Sequence, residues 1–158
     1  MVRFTDRVAY ACAVGFGSGL IKPAPGTWGS LLGALLFWGL LSYSFMLSAI
    51  LLLAGTLLGG YICRVGGLRL GEVDHGSIVW DEIIAVGWAL WSVAAAGVSL
   101  DVWCVLLIFI LFRVFDIFKP WPIFIVDAWH TPWGVMWDDI LAAAYTVIGF
   151  FILMPLWV

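Results

Sequence analysis

Charge is scarce in this chain. Asp, Glu, Lys and Arg make up 11% of its 158 residues, against about 25% in an ordinary soluble domain. With seven basic residues and a formal net charge of −3, it has no basic stripe to grip DNA or RNA, and nucleic acid is excluded as a partner. Cysteine is nearly missing too. Cys12, Cys63 and Cys104 are odd in number and scattered, so neither a disulfide framework nor a zinc-ligand spacing emerges. No small-residue cleavage pattern follows the first apolar residues, and the chain is expected to be unprocessed.

What is abundant is apolar. Hydrophobic residues reach 65%, tryptophans number 11, and the mean hydropathy is +1.13. A soluble domain with so few charges would expose large sticky patches, so the composition describes an integral membrane protein. A helix needs about 20 mostly apolar residues to cross the hydrocarbon core. Uncharged apolar runs occupy 29–41, 45–63, 83–100, 102–112 and 140–158, the first and fourth being short. The glycine-rich stretch 8–21 is shorter than a span and reads as interfacial or re-entrant. The expected fold is an all-α membrane bundle of about five helices, one domain over residues 1–158. The pairs Gly29-x₃-Gly33 and Gly55-x₃-Gly59 allow close helix approach, and the tryptophans suit the interface.

When these helices alternate in direction, Arg3, Arg7, Lys22, Arg64, Arg69, Arg113 and Lys119 all fall on one side. The positive-inside rule makes that side cytoplasmic. Both histidines and every acid except Asp101 lie there as well. Acids contribute little to orientation, so their gathering calls for another reason. Carboxylates flanked by apolar residues near membrane depth are costly unless paired or metal-bound.

Asp81-Glu82 and Asp138-Asp139 read as acidic pairs that open two helices. Neighbouring helical residues point about 100° apart, so one of each pair is expected to face a shared patch. Acids at helix N-termini complement the macrodipole, which explains one acid per helix better than it explains doublets. Hard oxygens from two helices suit Mg²⁺, which takes one or two carboxylates plus waters and substrate phosphate. Arg113, Asp116 and Lys119, spaced i, i+3, i+6, share one side of a helix end before Pro120. Cations there also suit a helix C-terminus, but together they can hold a phosphate. In the glycine- and proline-rich stretch 15–30, Thr27 and Ser30 suit helix N-caps, and N–H groups at a helix start with Lys22 nearby make an anion site. Leu20 breaks the dinucleotide fingerprint there. His75, with Asp74 beside it to orient the ring, is a candidate proton donor; a loop histidine without function is the plainer reading for it and for His130.

Two rival mechanisms compete. Cys63 and Arg69 have the Cys-x₅-Arg spacing of cysteine phosphatases, yet Cys63 ends an apolar span and no strand pattern surrounds it. A small transporter would need polar groups through the bilayer, and the apolar runs offer almost none.

Four stretches in chain order, FGSGL at 16–20 with APGTWGS at 24–30, DHGSIVWDE at 74–82, FRVFDIFKPWPI at 112–123 and GVMWDD at 134–139, resemble the phosphatidylglycerophosphatase A family. The resemblance covers essentially the whole chain. It implies a Mg²⁺-dependent phosphatase of the bacterial cytoplasmic membrane that converts phosphatidylglycerol phosphate to phosphatidylglycerol. Ala85 and Ala143 stand where that family usually has glycine. On this reading Asp81, Glu82, Asp138 and Asp139 are metal-ligand or base candidates, with Asp116 next and His75 as proton donor. Arg113, Lys119, Lys22, Thr27 and Ser30 are the phosphate-binding candidates.

Overall fold

The computed structural model describes residues 3–156, and no strand occurs among the described residues. In chain order come α1 (Phe4–Ala13), a 3-10 segment (Gly15–Leu20), α2 (Pro25–Tyr43), α3 (Phe45–Leu70), α4 (Trp80–Ala95), α5 (Val102–Phe118), α6 (Ile123–Asp127), α7 (Pro132–Leu153) and a closing 3-10 turn (Met154–Leu156). The expected all-α bundle is what forms. Its long helices α2, α3, α4, α5 and α7 grow from the five apolar runs.

Local chemistry sets the joints. Ser44 ends α2 and starts α3, its hydroxyl accepting from Leu47 N at 3.2 Å, so a single residue separates the two helices. Asp101, the acid expected on the far side, caps α5 by accepting from Cys104 N at 2.8 Å. Thr131 caps α7 in the same way, accepting from Gly134 N at 2.9 Å, with Pro132 at the first position where its missing N–H costs nothing. Gly71, at φ 86°, takes the left-handed conformation that closes α3.

Several expected bounds shift. Helix α2 begins at Pro25, so Thr27 and Ser30 lie inside it and are not N-caps. Helix α3 runs on to Leu70, so Cys63 sits within a helix instead of ending one. Helix α7 begins at Pro132, which places Asp138 and Asp139 well inside it rather than at its opening. In α3 and α7 the helix continues through charged residues, because charge ends a hydropathy run without ending a backbone hydrogen-bond ladder; in α2 it begins early at Pro25, whose fixed φ suits a first turn. Residues 157–158 of the last expected span lie outside the described residues. The stretch 8–21 forms the end of α1 and the 3-10 segment.

Cross-contacts give the helix directions. At one end Trp38 Nε1 (late α2) donates to Leu100 O at 2.9 Å, and Phe45 (start of α3) stacks on Trp91 (late α4) at 4.7 Å. At the other end Arg113 (late α5) reaches Ser30 (early α2) and Glu82 (early α4). Helix α4 packs against α2, α3, α5 and α7 and buries Ile83, Ile84, Ala85, Val86, Gly87, Ala89, Leu90 and Val93, as a helix apolar on all sides must. Ala143 is buried in the same core. The small-residue pairs do what their spacing promises. A Cβ on Gly33 would come within 2.7 Å of Ile83 Cα, and Gly55 and Gly59 lie against Ile84 and Met136.

Helices α3 and α7 are long and apolar enough to cross a bilayer, with mean hydropathies of 2.0 and 1.6 over their best windows. Only 33% of the α3 window is buried inside the protein, so most of that apolar surface faces outward. A soluble core helix does the reverse.

Candidate active site

The end of the bundle opposite Ser44 and Asp101 collects the acids. Helix α4 contributes Asp81 and Glu82 in its first turn, α5 contributes Arg113 and Asp116, and α7 contributes Asp138 and Asp139. Both members of each acidic pair turn inward: Asp81, Asp138 and Asp139 are 6%, 5% and 3% exposed, and the Glu82 side chain is 13% exposed. One inward acid per pair was expected. Three helices converge here, so the arc facing protein is wider than the 100° between neighbours.

Two cations clamp three of these acids and a fourth from α6, Asp127. Arg113 donates through one terminal nitrogen to Glu82 Oε1 at 3.0 Å, Asp116 Oδ2 at 2.5 Å and Ser30 Oγ at 3.2 Å. Ser30 in turn donates to Gly26 O at 2.7 Å. Gly26 and Gly29 leave room for the Glu82 carboxylate, because a Cβ at either would run into it. Lys119 sits at the C-terminal cap of α5 with φ 42°, a left-handed conformation unusual for a side-chain-bearing residue. That turn lays its ammonium on Asp138 Oδ2 at 2.7 Å and on Asp127 Oδ1. Burial works against its charge, but the hydrogen bonds to Asp127 and Asp138 outweigh it and hold the ammonium above the ordinary lysine range.

Asp81 and Asp139 are left over. Neither forms an ion pair among the described residues, and each lies within electrostatic reach of Glu82 and Asp138. Asp81 Oδ1, Glu82 Oε2 and Asp138 Oδ1 are buried without a hydrogen-bond partner, as is Arg113 Nε. Orphaned buried carboxylate oxygens are expensive, and two cations do not neutralise six acids. Among the described residues no three acid, histidine or cysteine side chains converge tightly enough to cage a metal by themselves. The donor set fits an ion that takes few protein ligands. Hard oxygens from two carboxylates, Asp81 and Asp139, suit Mg²⁺, which fills the rest of its shell with water and substrate.

The expected phosphate binders are either engaged by the cluster or not gathered to it. Arg113 and Lys119, read as phosphate binders with Asp116 paired to the arginine, are both engaged by acids. Ser30 is occupied between Gly26 and Arg113. Thr27 is half-buried inside α2 with no side-chain hydrogen bond among the described residues, and Lys22 is exposed and unpaired among them. Among the described residues nothing gathers these three into an anion site. His75, in the connection 71–79, accepts at Nδ1 from Ser77 N at 3.1 Å, so Asp74 does not orient its ring. Cys63 is fully buried and Arg69 packs over the Tyr10 ring at 5.0 Å; a continuous helix with a buried sulfur is no thiol-phosphatase loop. Asp127 was missed. It is a lone acid, and only the return of the chain after Pro120 brings it to Lys119.

An apolar helical bundle with an acid-rich, cation-clamped site at one end is the class these features define. The phosphatidylglycerophosphatase A family profile matches residues 11–154. Phosphatidylglycerophosphatase A of Haemophilus influenzae is 48% identical over 143 residues, covering 88% of this chain and 84% of that protein. Phosphatidylglycerophosphatase A of Escherichia coli is 41% identical over 139 residues, covering 82% and 74%. The chain belongs to the phosphatidylglycerophosphatase A family. It is accordingly an enzyme, a phosphoric monoester hydrolase. No solved structure matches it. Bacterial relatives of this name and two outward-facing apolar helices point to a membrane protein.

Proposed function

We propose that the protein hydrolyses phosphatidylglycerol phosphate to phosphatidylglycerol and inorganic phosphate in a Mg²⁺-dependent reaction, as a multi-pass protein with its site at the cytoplasmic face of the bacterial inner membrane. The substrate comes from the names of the relatives. The observation that carries the mechanism is the unpaired couple Asp81 and Asp139, buried beside the orphaned oxygens of Glu82 and Asp138. A phosphomonoester dianion approaching this cluster meets six acids and two engaged cations, and would be repelled unless further positive charge were present. Asp81 and Asp139 are the residues that would hold a divalent ion, which would supply that charge and polarise water and a phosphoryl oxygen.

The chain's own residues do the positioning. Arg113 holds Glu82 and Asp116 in place. Lys119 holds Asp127 and Asp138. With Nδ1 of His75 taken by Ser77, Nε2 is the nitrogen left to deliver a proton to the leaving alkoxide. Acyl chains stay in the leaflet while the headgroup phosphate meets this end of the bundle, where Arg113 and Lys119 also lie, as the positive-inside rule requires of a cytoplasmic face.

The test is phosphate release from purified protein given phosphatidylglycerol phosphate, with Mg²⁺ titrated and then chelated. Release that rises with Mg²⁺, stops with EDTA, and falls at least a hundredfold in Asp81→Asn and Asp139→Asn supports the reading. Full Mg²⁺-dependent activity in folded forms of those variants discards the carboxylate assignment. Indifference to chelation discards the ion.

A further inference from the structure

A second polar feature lies outside the carboxylate site. A cavity of about 500 Å³ between the start of α1 and the last turns of α3 is lined by Arg3, Asp6, Tyr61, Arg64, Leu68 and Arg69, among others. Its one acid is engaged, Asp6 Oδ1 accepting from the Tyr61 hydroxyl at 2.8 Å. Arg3, Arg64 and Arg69 form no ion pair among the described residues. Arg69 is held over the Tyr10 ring. Three guanidinium groups therefore share one concavity with a single carboxylate that already has a partner.

The surroundings are apolar and outward-facing. Leu68 is 75% exposed and Phe4 80%, side chains that suit acyl chains far better than water. Helix α3 has 26 residues and is about 39 Å long at 1.5 Å per residue, while the hydrocarbon core is about 30 Å thick. The excess of about six residues puts the turn holding Arg64 to Arg69 at headgroup depth. On the helix, Cys63 lies within electrostatic reach of Asp81, Asp138 and Asp139. At about 100° per residue, Tyr61, Val65 and Leu68 lie about 140–160° around α3 from Cys63, and Arg64 about 100°. The cavity and the acids thus occupy different faces of one helix.

We propose that this cavity binds the phosphodiester headgroup of an anionic phospholipid, as a site separate from the active site. Guanidinium pairs match phosphate oxygens in a bidentate manner, and basic pockets on the cytoplasmic side of helical membrane proteins hold anionic headgroups. The inference rests on the membrane reading above but not on the reaction. A bound lipid would fasten α1 to α3 and set the depth at which the bundle sits.

The full chain, purified in detergent, is mixed with short-chain phosphatidylserine or with phosphatidylcholine of equal chain length, and bound lipids are counted by native mass spectrometry. Wild type retains phosphatidylserine over phosphatidylcholine. The double variant Arg64→Gln, Arg69→Gln loses that retention on the order of tenfold or more, and Arg64→Gln alone loses part of it. Phosphate release from a short-chain phosphomonoester lipid is the same in all three. Equal retention of phosphatidylserine by wild type and the double variant overturns the proposal, as does equal binding of the two lipids. Displacement by inorganic phosphate at the lipid's own concentration would assign the cavity to free phosphate and overturn it too. Failure of the proposed reaction would appear as missing phosphate release in wild type, a readout independent of lipid retention.

Discussion

Neutralising Asp139 should stabilise the metal-free protein while it removes function. Asp139 is 3% exposed, has no ion-pair partner among the described residues, and feels Asp116, Asp81, Asp138 and Glu82. At an effective dielectric near 20, each such neighbour repels it by on the order of 1 kcal/mol or more, part of which Arg113 and Lys119 offset. Asp139→Asn keeps the shape, exchanges one acceptor oxygen for an NH₂ donor and deletes the charge. The net gain in the absence of divalent ions is about 1–2 kcal/mol, which for a chain of this size raises Tm by about 2–8 °C. Added Mg²⁺ should invert the order. A ligand at a hundred times its Kd stabilises by about 2.7 kcal/mol, so wild type gains Tm with Mg²⁺ and the variant does not. The assay is thermal unfolding of both proteins in one detergent, with EDTA and then with Mg²⁺ titrated. A variant less stable than wild type in EDTA, or a wild type whose Tm ignores Mg²⁺, refutes the idea that Asp139 is held ready for a cation.

Other perturbations follow from the same geometry. Lys119→Ala and Lys119→Gly both release Asp127 and Asp138 and should lower phosphate release at least a hundredfold; since Lys119 has φ 42°, the glycine variant should be the more stable of the two by about 1 kcal/mol, read from their Tm values. Gly29→Ala places a methyl group against Val79 and the Glu82 carboxylate, so it should cost about 1–3 kcal/mol and lower kcat by displacing Glu82; unchanged activity would show that Glu82 tolerates movement. Cys63→Ala should keep kcat within about twofold while losing some stability through a small buried cavity, because the sulfur is sealed inside α3; loss of activity in a folded variant would revive a thiol role.

What the sequence makes legible and what it hides divide along a physical line. Apolar runs mark helices where side chains meet lipid or core, so α2, α3, α4, α5 and α7 are all visible as runs. The runs stop at the first charged residue, whereas α3 continues past Arg64 and α5 past Arg113 and Asp116, because those charges are accommodated at the end of the bundle without breaking the ladder. Which acids gather at one end is legible from alternation alone. Which of them are paired is not, since pairing depends on contacts 31 residues apart for Arg113 and Glu82. Lys119 and Asp127 are eight residues apart on either side of a break between α5 and α6, so no single element's period relates them; the turn through Pro120 and Pro122 is the local sign that the chain folds back there. A motif identifies the chemistry in hand, and pairing decides which of it is already engaged. Arg113 and Lys119, read as phosphate binders, hold four acids in place. That engagement leaves Asp81 and Asp139 as the uncompensated charges, so the case for a cation rests on these two residues more than on the acidic cluster as a whole.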